Sequence, residues 1–145
     1  MQSRKNILKL ELNQKPIIAT QVVYPTDTEF EQKQKLKFPF KLYNNVVLTV
    51  KDKEKSYTIT AYKNYCFDGA TIPFGLGGKD TRLLVPSLFH DIMCEKKYII
   101  DYDRKLSSDI FYELLIMCGM PKLKAKVMRF AVDNYQKLQK SWRIK

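Results

Sequence analysis

Val46-Val47-Leu48-Thr49-Val50, then Lys51-Asp52-Lys53-Glu54-Lys55, then Ser56-Tyr57-Thr58-Ile59-Thr60-Ala61-Tyr62 is the stretch that decides the fold. Two runs rich in β-branched and aromatic residues flank a charged connector short enough for a hairpin loop. Upstream, Ile17 to Tyr24 is a further β-branched run that stops at Pro25. Lys37 to Tyr43 alternates charged and apolar residues around Pro39, which suits an edge strand or a bulge. Pro25 to Gln34 reads as a polar loop, with a short helical turn over Glu29 to Lys35 as the alternative. Residues 1–15 read as an N-terminal extension or an edge strand.

Downstream of the hairpin the period changes from strand to helix. Asp80 or Thr81 is placed to cap a helix reaching about Lys97, with Pro86 disturbing its first turns. Asp103 is placed to cap a second helix, Arg104 to Met117, and Cys118-Gly119 supplies its stop. Pro121 sits where a first helical residue belongs, opening a third helix to about Lys140. The expected fold class is α+β in a single domain, 1–145: a small antiparallel sheet from the N-terminal half, covered by three helices from the C-terminal half.

Composition narrows the class. The 145 residues are 45% hydrophobic and 12% aromatic, enough for one core. The N-terminus is charged too early for a signal peptide, and no run approaches the ~20 apolar residues of a membrane span. Cys66, Cys94 and Cys118 make no disulfide framework and are expected as free thiols.

Charge is uneven. Lys and Arg outnumber Asp and Glu by 26 to 15, a formal net charge of +11. The segment 121–145, a basic helix and tail, holds eight Lys or Arg and one acid, Asp133. Its exposed cations, Lys126 and Arg129 among them, are candidate nucleic-acid contacts. Leu123, Val127, Phe130 or Ala131, Asn134 and Leu138 recur at helical spacing and are expected to pack on the preceding helices, with Trp142 hooked onto the domain.

Three features carry chemistry. Four of the five glycines fall between Gly69 and Gly78, after Phe67-Asp68. Such a loop offers free amides to a phosphate, or carbonyls to a metal, so Gly69 and Thr71 are candidate binding positions. His90, the only histidine, is a candidate general base; on the helical projection it points away from the Leu84-Leu88-Phe89-Ile92 stripe. Asp91, adjacent on the helix, cannot orient that imidazole. Asp109 is the candidate orienter if the first two helices pack antiparallel, on a second helix whose expected buried face is Leu106, Ile110, Phe111, Leu114, Met117 and Cys118. Asp68 and Asp91 would then be available to hold a hard cation such as calcium.

Phe67-Asp68-Gly69-Ala70-Thr71-Ile72-Pro73, His90-Asp91, Arg104, Ser108-Asp109-Ile110-Phe111, Met128 and Ala131-Val132 resemble an uncharacterised phage and prophage family. Its hallmarks are a DGASIP-like turn, an HDxLY-like helix and an RxxxADxxF-like helix, and the resemblance spans roughly residues 36 to 135. This chain departs from it with Thr71 for serine, Cys94 for the usual tyrosine, Ser108 for alanine, and no tryptophan after Ile72-Pro73. The resemblance implies a phage-encoded accessory or virion-associated protein of the host cytoplasm or virion, with other phage proteins as partners. A more distant pattern is similar to the secreted calcium-dependent phospholipases. It implies His90 as base, Asp91 as calcium ligand and Asp109 as orienter, although this chain lacks the disulfides of those enzymes. Three readings follow: a phage accessory protein, a hydrolase with a His90–Asp109 dyad, and a basic protein that binds nucleic acid.

Overall fold

The central hairpin closes more tightly than its charged connector suggests. In the computed structural model, which describes residues 8–53, 55–67, 81–95 and 104–137, pairing of β4 (Val46–Asp52) with β5 (Lys55–Ala61) runs from Val46↔Ala61 to Asp52↔Lys55. The strands therefore take up most of the expected loop, and Lys53 adopts a positive φ of 58° at the turn. Val46, Leu48 and Val50 alternate inward on β4, opposite Ile59 and Ala61 on β5. An edge strand, β1 (Lys9–Leu12), pairs antiparallel with β4 and places Leu10 and Leu12 beside that face.

A second three-stranded sheet joins β2 (Ile18–Thr20), β3 (Phe40–Leu42) and β6 (Cys66–Phe67), again antiparallel. The strand expected from Ile17 to Tyr24 is cut to three residues. Gln21 N–H still reaches the Pro39 carbonyl at 2.7 Å, but Pro39 has no N–H to return and the ladder ends there. The intervening chain forms α1 (Glu29–Lys37), a full helix where the sequence suggests a loop or a single turn. Its start is a capping box: Glu31 N–H donates to Thr28 Oγ1 (3.0 Å) and Thr28 N–H donates to Glu31 Oε1 (2.8 Å). None of its side chains is buried, and Lys35 ties it back to Asp27 and to the Val22 carbonyl, both at 2.8 Å. Lys35 also holds the Asp27 carboxyl below the usual carboxylate range, with the Tyr24 N–H adding to the effect.

Among the described residues the helical half begins with a 3₁₀ turn, Thr81–Leu83, which runs into α2 (Leu84–Glu95). Helix α2 lies on β5 and β6, α3 (Arg104–Met117) packs on α2, and α4 (Lys122–Lys137) packs on α3. Among the described helices α2 makes the broadest contact with the strands, and the later helices stack outward from it. Being sandwiched, α2 and α3 each bury two faces. Ile110 and Leu114 of α3 join the sheet and α2 in one core, while Phe111 and Leu115 join Met120, Ala125, Met128 and Val132 in another. A single-stripe reading of α3 therefore misses Leu115 and wrongly buries Met117, which is exposed.

The corner between α3 and α4 is a Schellman motif: Met120 N–H reaches the Leu115 carbonyl, Gly119 N–H reaches that of Ile116, and Gly119 takes φ +97°. Pro121 stands just before α4 and its carbonyl accepts from Ala125 N–H at 2.9 Å. All three cysteines are free thiols, as expected, and burial pushes the Cys118 thiol up from its ordinary pKa. No described helix is long and apolar enough to cross a membrane.

Helix α4 is rotated relative to the expected arrangement. Its packed stripe is Ala125, Met128 and Val132, and the residues expected to be inside, Leu123, Val127 and Phe130, are exposed. The helix offers two apolar stripes roughly half a turn apart, and hydrophobicity alone favours the wrong one. The choice is made by shape and polar pairing: Ala125 permits close approach, and Arg129 and Asp133 on the flank meet partners on α3.

Candidate functional site

His90 is carried by α2 in the middle of the helix stack. It points away from the Leu88-Ile92 stripe, as the projection requires, but that direction is occupied by α3 and not by solvent. The side chain is only 3% exposed, and its ring meets that of Phe111 at 5.2 Å between centroids, tilted by 55°. Cys94, one turn on, brings its Sγ to 4.0 Å from His90 Nδ1. Ser87, one turn back, is buried as well.

At the far end of α2 the Tyr65 hydroxyl donates to Glu95 Oε2 at 2.9 Å, joining the approach to β6 to the last turn of the helix. Burial raises the Tyr65 pKa well above its ordinary value, and the Glu95 hydrogen bond and the nearby Asp91 and Cys94 push the same way. The phenol therefore stays protonated across the physiological range. Tyr65, His90, Asp91, Cys94 and Glu95 thus form a polar border along α2. Neither Tyr65 nor Glu95 is legible as part of it in the sequence, since their contact spans 30 residues.

Asp109 has a different partner from the one the sequence suggests. Its Oδ1 accepts from Arg129 Nε at 2.9 Å and from Arg129 Nη2, and both side chains are about three-quarters buried. Beside this pair, Ser108 Oγ donates to Asp133 Oδ1 at 2.9 Å. The two contacts bolt α3 to α4. A signal for the first exists in the sequence: Arg129 is the one arginine of a helix otherwise supplied with lysine, and a guanidinium suits a carboxylate better than an ammonium does.

Of the other candidate positions, the described ones are dispersed. Lys126 is exposed on α4, whereas Arg129, its companion in the nucleic-acid reading, is turned onto Asp109. Asp91 is half-buried on α2. Asp68, Gly69 and Thr71 lie outside the described residues, as do the rest of the glycine-rich loop and Trp142. Among the described residues no three His, Cys, Asp or Glu side chains converge as metal ligands would.

What the arrangement does chemically is join helices. His90 fills the space between α2 and α3, Asp109–Arg129 and Ser108–Asp133 fix the rotation of α4 on α3, and Tyr65–Glu95 fixes α2 on the sheet. No curated protein and no solved structure matches this chain. A family model does match, over residues 41–132, from β3 through the hairpin, α2 and α3 to most of α4. The chain belongs to that family, the proteins of unknown function described as DUF1353.

Proposed function

We propose that the chain is a phage-encoded accessory or virion-associated protein, and that His90 and Asp109 serve its architecture, not a catalytic centre. The observation that carries this reading is the Asp109–Arg129 pair. The guanidinium draws Asp109 to the α3–α4 interface by its Oδ1, so the negative charge that would stabilise an imidazolium is already shared with Arg129. His90 fits the same reading, since a general base needs room for a water beside it and this ring lies against Phe111. The phage assignment rests on the order and spacing of the motif residues, and the proposed location is host cytoplasm or virion with other phage proteins as partners.

Two measurements test it. Purified particles of the parent phage, analysed by mass spectrometry, are expected to contain the protein or to co-purify with it from infected cells. In parallel, the purified chain is offered phospholipid mixed micelles with calcium. The expected result is no hydrolysis above a protein-free control. Saturable hydrolysis lost in His90→Gln, with the thermal midpoint preserved, would replace the accessory reading with the dyad hydrolase.

A further inference from the structure

Helix α4 presents apolar side chains in two opposite directions. The inward stripe, Ala125, Met128 and Val132, is fully spent on α3. The outward stripe, Leu123, Val127 and Phe130, follows i, i+4, i+7 spacing and is 76%, 47% and 68% exposed. Exposed lysines border it, Lys122 and Lys126 on one flank and Lys124 on the other. Asn134 closes the C-terminal end of the ridge, its side-chain amide donating to the Phe130 carbonyl at 2.8 Å.

We propose that this ridge is a docking surface for an anionic lipid bilayer, on which α4 lies parallel to the plane. The occupant follows from charge and apolar exposure together. The ridge is bordered by cations, on a chain of net charge +11, so a second copy would bring like charges together. Nucleic acid would satisfy the lysines but would press Leu123 and Val127 against phosphates, with nothing gained by those side chains. A bilayer takes both parts of the surface. Leucine, valine and phenylalanine enter below the headgroups, while the lysine stems lie along the apolar boundary and their ammonium groups meet lipid phosphates. This inference stands apart from the accessory-protein reading and neither requires it nor supports it.

The test is sedimentation of the full chain with vesicles of phosphatidylcholine alone and of phosphatidylcholine with about 30% phosphatidylglycerol. The chain is expected to pellet with the anionic vesicles only, and less as salt rises from ~0.05 to ~0.5 M. Leu123→Ser combined with Phe130→Ser is expected to lower partitioning about tenfold or more at fixed salt, through loss of apolar burial. Lys122→Gln combined with Lys126→Gln is expected to lower it as well. All four substituted side chains are solvent-facing, so thermal midpoints serve as the folding control. Phe130→Trp in a Trp142→Phe background reports the ridge directly, and its emission should shift to the blue on anionic vesicles. Absence of pelleting with anionic vesicles overturns the proposal. So does pelleting unchanged by the serine pair, which would be charge attraction alone. So does a dimer in sedimentation velocity that the serine pair dissolves, or salt-sensitive binding to a DNA duplex without binding to vesicles.

Discussion

Arg129 grips Asp109 through two guanidinium nitrogens, Nε at 2.9 Å and Nη2, across the α3–α4 interface. The pair is three-quarters buried, so solvent screens it less than a surface ion pair, yet it is far from a dry interior charge. Its contribution is expected to be about 1 kcal/mol, because both nitrogens converge on one oxygen, Oδ1, and do not bridge the carboxylate fork to fork. Asp109→Ala and Arg129→Ala should each lower unfolding free energy by about 1–2 kcal/mol in urea. The double variant should cost less than the sum, with a coupling of about 0.5–1.5 kcal/mol. Strict additivity would mean that the pair does not hold the helices.

Replacing His90 has a different origin of cost. The side chain occupies space between α2 and Phe111, so His90→Ala leaves a cavity and the lost packing of a ring. A destabilisation of about 2–3 kcal/mol is expected from equilibrium denaturation. A change below about 0.5 kcal/mol would put the imidazole at the surface.

Tyr65 supplies a pH dependence on the alkaline side. Its phenol pKa is raised in the folded chain, so the unfolded chain loses that proton first as pH rises past about 10. Below that pH the stabilisation is fully present, and above it stability falls. Tyr65→Phe removes the hydrogen bond to Glu95 at neutral pH and should also flatten the alkaline limb of the Tm profile. A variant whose alkaline limb follows the parent chain would contradict the assignment.

Asp27 does the opposite at low pH. Lys35 lowers its pKa, so the contribution is present above about pH 4 and is lost as pH falls through the depressed folded value. The effect is local to the α1 arm, where Asp27, Lys35 and the Val22 carbonyl meet. After correction for the slower intrinsic exchange at low pH, protection of the Glu29–Lys37 amides should fall on acidification in the parent chain, and Asp27→Asn should remove that acid-dependent component. Exchange of α1 that is indifferent to Asp27→Asn would show that capping at Thr28 alone holds the helix.

The hairpin and the α3 helix are legible in the sequence because local chemistry and tertiary structure agree there. Alternating Val46, Leu48 and Val50 and the Gly119 stop mean the same thing in isolation and in the fold. Helix α1 escapes such a reading although Thr28-x-x-Glu31 spells a capping box, because no apolar stripe accompanies it and its turns bury nothing. The direction of His90 follows from the helical projection and its environment does not, because a projection does not say whether a second helix covers the far face. Asp109 stands out in the same way, but a carboxylate on a helix flank pairs with whatever cation the next helix brings. The rotation of α4 that delivers Arg129 depends on Ala125 and on contacts 20 and 25 residues apart in the chain.

The most direct test uses the fact that His90 is the only histidine, so its imidazole signals are unambiguous. Long-range proton–nitrogen correlation spectra of the ring, recorded across pH in the parent chain and in Asp109→Asn, report whether the two residues communicate. With Asp109 committed to Arg129, the ring nitrogen shifts and their pH dependence should be the same in both proteins. A change of tautomer, or a midpoint displaced by about one pH unit in Asp109→Asn, would show that the carboxylate orients the imidazole and would contradict a purely architectural role for the two residues.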